Sequence, residues 1–291
     1  MDLKDFFAGL DYLFSQKQIA AAESYLSDHL ELANKAADTN YQLAVLNEQI
    51  GYYRTLGRFA ESLSAGSAAM AIVSAPNFTI SASAATTMLN VATAMRAAGK
   101  ISEALELYRQ VEALYSAHLA PDDNRRAALY NNMAQAMAGS GDLKTALEYL
   151  HESLDILKIS DRNYVELATN HSNIAALYMA LKNMESAEEH LKEAMSIFEA
   201  LGYDDAHYPA ALSAMAQLMY IKGEHSSAVD YYRMALDKTE EIFGQNIDYA
   251  RICNNCAKVC AQLGMSAEAE DLRQKAQVVE NKLNALNAQR R

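Results

Sequence analysis

A short string recurs along this chain at a nearly constant interval, and that interval constrains the fold more than any single residue does. It reads GRFAES from Gly57, GKISEA from Gly99, GDLKTA from Gly141, KNMESA from Lys182, GEHSSA from Gly223 and GMSAEA from Gly264, with a weaker copy, KQIAAA, from Lys17. The anchors lie 40, 42, 42, 41, 41 and 41 residues apart. Self-similarity at such a period marks an array of stacked supersecondary units rather than one closed core.

The residues upstream of each anchor show what the unit is. At 11, 8, 7 and 4 places before Gly99 stand Met88, Val91, Ala92 and Met95; before Gly141, Tyr130, Met133, Ala134 and Met137. The same places hold His171, Ile174, Ala175 and Tyr178 before Lys182, Leu212, Met215, Ala216 and Met219 before Gly223, and Cys253, Cys256, Ala257 and Cys260 before Gly264. That spacing is one face of an α-helix. The third place is always alanine, which lets a neighbouring helix approach closely. Around Gly57 the pattern fits with a slip of one residue. Downstream, ISEALELYRQVEALY and SAVDYYRMALDKTEEIF carry helix-period apolar residues of their own. The anchor glycine then closes one helix in a left-handed turn and the next begins at once. A single such pair cannot bury its apolar face, but stacked pairs can.

Composition agrees. Hydrophobic residues make up 51% of the 291, while Pro (3) and Gly (11) are scarce, which argues against a β-sandwich and against a disordered linker. The net charge of −12 repels phosphate backbones and anionic membrane surfaces, so nucleic acid and membrane are not expected partners. The cysteines number 3 and cluster within Cys253–Cys260, which is no disulfide framework and suits a reducing, cytoplasmic setting. The start, MDLKDFF, lacks a basic segment followed by an apolar one, so no signal peptide is expected, and no stretch approaches a membrane span.

The anchor string, the small residue seven before it and the apolar places around it resemble the tetratricopeptide repeat (TPR). The long period resembles its kinesin-light-chain-like subclass of bacterial type, as do EALGYDDAHYPAALSAMAQLMYIKG (199–223) and EEIFGQNIDYARICNNCAKVCAQLG (240–264). The resemblance runs over roughly residues 3–288. It implies an all-α, right-handed α-solenoid of about seven helix-turn-helix repeats, at approximately 3–38, 40–76, 78–120, 122–160, 161–202, 205–244 and 246–288, in a single domain spanning 1–291. The sequence departs from the subclass in three ways. Its His-Pro pair is reduced to His207-Tyr208-Pro209, Lys182 replaces an anchor glycine, and no tryptophan occupies a first core position. The last helix carries Ala269, Leu272, Ala276, Val279, Leu283 and Leu286 in one stripe with a charged back. We read it as a terminal cap, with a coiled-coil seam for dimerisation as the alternative. Monomer and homodimer both stay open.

A residue nine places before the anchor lies about 150° from the centre of the core stripe. The residues there are Asn90, Asn132, Asn173, Ala214 and Asn255. Asparagine is a mediocre helix former, so its repetition mid-helix asks for a reason. An amide can donate to a peptide C=O and accept from an N–H together, gripping an extended chain without reading its side chains. In the families this sequence resembles, first helices line a concave groove and asparagines at this place contact bound peptide backbone. The alternative is that these amides only link repeats. The same wall is expected to carry Thr93, Gln135, Gln217 and Lys258 six before the anchor, and Arg96, Met179 and Tyr220 three before it. It is polar with scattered cations, which suits a polar or acidic peptide.

Three further features read as structure. The Cys253-x2-Cys256-x3-Cys260 trio offers soft metal ligands, but it occupies core places and has no evident fourth ligand, so packing is preferred. The histidines show no ligand spacing, and no catalytic or nucleotide-binding motif occurs. The expectation is a protein- or peptide-binding scaffold without catalytic residue, metal or cofactor. A second reading is a regulatory helper for a separately encoded enzyme, nucleotidyltransferase-like for example, or for a signalling system.

Overall fold

The computed structural model describes residues 2–16, 18–76, 78, 81–159, 163–203 and 205–288, without the side chains of 283, 284 and 286–288. Lys17, the weakest anchor, and the Leu283 and Leu286 side chains of the last stripe lie outside the described residues. The chain is all-α, with fourteen helices and no strand among the described residues. The helices come in pairs: α1 (Leu3–Ser15) with α2 (Ile19–Ala36), α3 (Thr39–Thr55) with α4 (Phe59–Val73), and α5 (Ala82–Ala97) with α6 (Ile101–His118). There follow α7 (Asn124–Ser140), α8 (Leu143–Leu157), α9 (Tyr164–Ala180), α10 (Met184–Ala200), α11 (Tyr208–Ile221), α12 (His225–Phe243), α13 (Ile247–Gln262) and α14 (Ser266–Ala288).

The anchors make the turn their sequence predicts. At Gly99 (φ +80°) the N–H of Lys100 donates to Met95 O at 2.9 Å and that of Gly99 to Arg96 O at 3.0 Å. These two bonds satisfy the last carbonyls of the helix in a Schellman turn. The same pair of bonds closes the helix at Gly57, Gly141, Gly223 and Gly264. Lys182 takes the glycine conformation at φ +62°, with Asn183 N–H on Tyr178 O at 2.9 Å. A side chain in the left-handed region is strained, so this repeat adopts the shared turn at some cost. Second helices start straight from these turns; α4, α6 and α12 have no side-chain cap. Several first helices start on capping side chains, such as Asp38, Ser81 and Asn246.

The chain falls into two compact units, Met1–Asp142 and Leu143–Arg291. In the first, an aromatic cluster joins α1 to α3: Phe6 stacks on Tyr25 with centroids 5.9 Å apart, and His29 Nδ1 meets Tyr41 Oη at 2.6 Å. Gly9 permits this, because a Cβ there would stand 2.4 Å from Tyr25 Oη. In the second unit one core runs from α9 to α14. The alanines seven before the anchors, Ala92, Ala134, Ala175, Ala216 and Ala257, are all buried. The residues five before the anchors, Ala94, Ala136, Leu177, Leu218 and Val259, are buried as well. First helices therefore bury two flanks rather than one stripe. In α14, Ala269, Leu272, Ala276 and Val279 are buried against α13 while Val278 is exposed.

Candidate functional site

The residues nine before the anchor, Asn90, Asn132, Asn173, Ala214 and Asn255, are all half-buried. The amides differ in what they hold. Asn90 Nδ2 donates to Asn47 Oδ1 at 2.9 Å, and Asn47 Nδ2 donates to Thr87 Oγ1 at 2.9 Å. This chain of bonds fastens α5 to α3. Asn132 Nδ2 donates to Ala128 O of its own helix at 2.9 Å. Asn255 has no hydrogen-bond partner among the described residues, and the linking role beside it falls to Asn254, whose Nδ2 donates to Glu280 Oε1 at 3.2 Å. Asn132 and Asn255 thus keep amide capacity that no neighbouring helix takes up.

The other wall residues divide the same way. Gln135 and Tyr220 are half-buried, and Gln217 and Lys258 are exposed. Tyr220 Oη accepts from Gln262 Nε2 at 3.0 Å. Thr93 is instead buried: its Oγ1 donates to Leu89 O at 2.8 Å and accepts from the fully buried Tyr108 Oη at 3.2 Å. Met179 is buried as well. The Arg96 charge lies near the Tyr108 hydroxyl, and its Nε is buried with no partner. Arg54 stands beside it from α3, and burial followed by the Arg96 charge lowers its pKa. Neither guanidinium meets a carboxylate among the described residues, so this pair is electrostatically unsatisfied.

Within Met1–Asp142 the bonded group Asn47, Thr87 and Asn90 borders a cavity of about 980 Å³. Leu3 and Phe7 of α1, Asn40 and Asn47 of α3, and Thr87 and Asn90 of α5 line it. Its lining comes mainly from first helices and the turns that lead into them. Among the described residues no helix is long and apolar enough to cross a membrane, and no group of three His, Cys, Asp or Glu is placed to hold a metal ion.

The cysteine trio is core. Cys253, Cys256 and Cys260 are fully buried and unbridged, and burial pushes the Cys253 thiol up to about 11. Thiols so placed are protonated at neutral pH and poor nucleophiles. One grouping escapes spacing arguments. His151, His171 and His190 come together from α8, α9 and α10. His171 Nδ1 meets His190 Nδ1 at 3.0 Å. Burial, then the charge of His190, lowers His171 to about 4. The signal for this trio was their separation of about half a repeat, 20 and 19 residues, which sets them on successive helices.

Comparison with known proteins identifies the array. The tetratricopeptide repeat model matches residues 83–159 and 166–241, together more than half of the chain. No curated protein matches the sequence. Among solved structures the chain is similar to BtubC (BKLC) from P. vanneervenii, at 20% identity over 82% of this chain and 92% of that one, TM-score 0.59. It is also similar to a putative kinesin light chain of Podosopora anserina with nearly identical TPR-like repeats, at 20% identity over 68% and 95%, TM-score 0.54. A chain of the APC/C hetero-tetramer Cut9-Hcn1 matches at 17% identity over 95% of this chain and 46% of that one, TM-score 0.64. At these identities the structures speak for the fold alone. The chain belongs to the tetratricopeptide repeat family, and its fold is of the kinesin-light-chain-like kind.

Proposed function

We propose that this TPR protein is a non-catalytic scaffold that holds an extended peptide on the face of its first helices. The observation that carries this reading is the row of half-buried amides at one register, of which Asn132 and Asn255 are not engaged by a neighbouring helix. A backbone peptide group offers one donor and one acceptor, and an asparagine amide answers both. The cavity of about 980 Å³ bordered by α1, α3 and α5 gives such a chain a place to lie. The Arg54–Arg96 pair favours a polar or acidic peptide, because two adjacent guanidiniums without a carboxylate are relieved by an anion.

The test is capture of the partner from the native source, followed by the double substitution Asn132→Ala and Asn255→Ala. Binding should fall by at least about tenfold, a loss of about 1.4 kcal/mol. The thermal unfolding curve should stay nearly unchanged, because neither amide fastens one helix to another. Retained affinity in the double variant sinks the amide row as the grip.

A further inference from the structure

A second concavity lies in Leu143–Arg291, on the side of α11 that faces the second helices. It has a volume of about 620 Å³. Tyr208, Met215 and Met219 form its floor and are buried, while Met195, Tyr231 and Met234 stand at its walls. Methionine gives a floor that adapts to the stem of a long side chain.

The mouth is aromatic and carries charges of both signs: Glu188, Lys192, Glu199 and Asp230 line it. Tyr203 follows α10 at φ +60°, directly after Gly202 at φ +80°. A bulky residue seldom occupies the left-handed region, and such outliers collect at functional sites. The Tyr203 ring lies 5.1 Å from that of Tyr208, tilted by 39°. Burial, then the Glu199 carboxylate that lines the same pocket, raises the Tyr203 hydroxyl above its ordinary pKa. Of the three carboxylates around the pocket, Glu188 is paired with Lys192 and Lys222, and Asp230 with Arg233. Glu199 has no cation beside it among the described residues. The Tyr208 and Tyr231 hydroxyls likewise have no hydrogen-bond partner there. The pocket therefore combines an apolar floor, tyrosine faces, open phenol acceptors and one uncompensated carboxylate.

We propose that this pocket receives an arginine side chain carried by a partner polypeptide. The aliphatic stem lies on Met215 and Met219, the guanidinium stacks on the tyrosine rings, and its N–H groups donate to Glu199 and the open phenols. Arginine fits better than lysine because its planar, weakly hydrated head combines stacking with several directed hydrogen bonds. The site goes beyond the proposed function: it uses second helices, and no residue of the amide row lines it.

The experiment uses the whole chain with ¹³C-labelled methionine methyls. An N-acetylated, C-amidated Gly-Gly-Arg-Gly-Gly peptide is titrated in, with lysine and norleucine versions as controls. The arginine peptide should shift the Met195, Met215, Met219 and Met234 resonances saturably and leave Met88 and Met133 in place. Glu199→Gln and Tyr231→Leu should each weaken that response about three- to tenfold. Both substitutions are at solvent-accessible places, and unchanged circular dichroism establishes that each variant is folded. No saturable shift up to about 10 mM peptide overturns the proposal, since that corresponds to less than about 3 kcal/mol of binding. An equal response to norleucine or lysine overturns the arginine assignment, and so does full retention in both variants.

Discussion

In Met1–Asp142 neighbouring helices are fastened by polar side chains inside the array. Asn47 joins Thr87 and Asn90, Tyr108 Oη reaches Thr93, and Thr86 Oγ1 meets Tyr115 Oη at 2.9 Å. In Leu143–Arg291 a continuous apolar core of aliphatic, aromatic and sulfur side chains runs from α9 to α14, and repeats are cross-linked at the surface by Lys222–Glu188 and Arg233–Glu268. Polar side chains are buried in this unit too: Ser153, Asn163, Asn170, His171 and Thr239, with His171 meeting His190 and both side-chain polar atoms of Asn170 without a partner among the described residues. The two units thus use the same repeat with different links between helices: mostly buried or half-buried hydrogen bonds in the first, and more exposed ion pairs in the second. A buried hydrogen bond costs much to break from one side, whereas an exposed ion pair contributes little. The contrast teaches that the first unit should be sensitive to isosteric polar changes, and the second to cavities and to acid.

Acid is the strongest lever on this contrast. The folded pKa of His171 lies below its ordinary value, so the unfolded chain takes up the proton first. Its contribution is complete above about pH 6.5 and is lost as pH falls toward about 4, by up to about 3 kcal/mol. His190 is also lowered, chiefly by burial, and acts in the same direction. The neighbouring charges from other elements, His151 and Lys158 of the α8 segment, reinforce it. Urea unfolding at pH 7.5 and pH 5 should show about 2 kcal/mol of this loss in the wild type and much less of it in His171→Leu. An identical pH dependence in the two proteins would remove the histidine pair from the account.

The next effect tests the polar interior of the first unit. Asn47→Ala leaves the Thr87 hydroxyl, 2% exposed, without its donor and Asn90 without its acceptor. The cost should be about 1–3 kcal/mol. Arg233→Gln, which breaks a pair exposed by 46% and 33%, should cost less than about 1 kcal/mol. Hydrogen exchange reports the two units separately. If Arg233→Gln opens its unit more than Asn47→Ala opens the other, the comparison is inverted.

The smallest effect is a gain. Lys182→Gly relieves a non-glycine residue at φ +62° but adds freedom to the unfolded chain, so the net stabilisation should be about 1 kcal/mol or less. The reverse change at an anchor, Gly99→Ala, should destabilise. A loss of stability in Lys182→Gly would mean that the lysine side chain contributes something its backbone conformation does not reveal.

Much of the fold was legible because the repeat writes the same local instruction several times. Glycine five places before a small residue marks a Schellman turn, and alanine seven places before it marks a close helix contact. Both follow from backbone geometry and side-chain volume, which neighbours modify little. The candidate face was legible only in outline. Spacing put Asn90, Asn132 and Asn255 at one register but could not say which amide a neighbour would claim. Thr93 was expected on the wall and lies beneath it, because Tyr108 from the next helix draws its hydroxyl inward. The histidine trio went unread for the same reason: its members belong to three helices, and no single-helix pattern contains them.

The sequence by itself determined the helix pairs, the turns between them and which alanines and apolar residues would be buried, since these depend on a period and on local chemistry. Tertiary structure alone decided which polar groups are spent inside the array and which face outward. It held Asn90 to Asn47, left Asn255 open, brought His171 against His190, and built a tyrosine and methionine pocket from α10, α11 and α12. The physical reason is that a hydrogen bond or a pocket wall needs atoms from separate helices within a few ångströms, and that meeting is fixed by how repeats stack rather than by the order of residues within one.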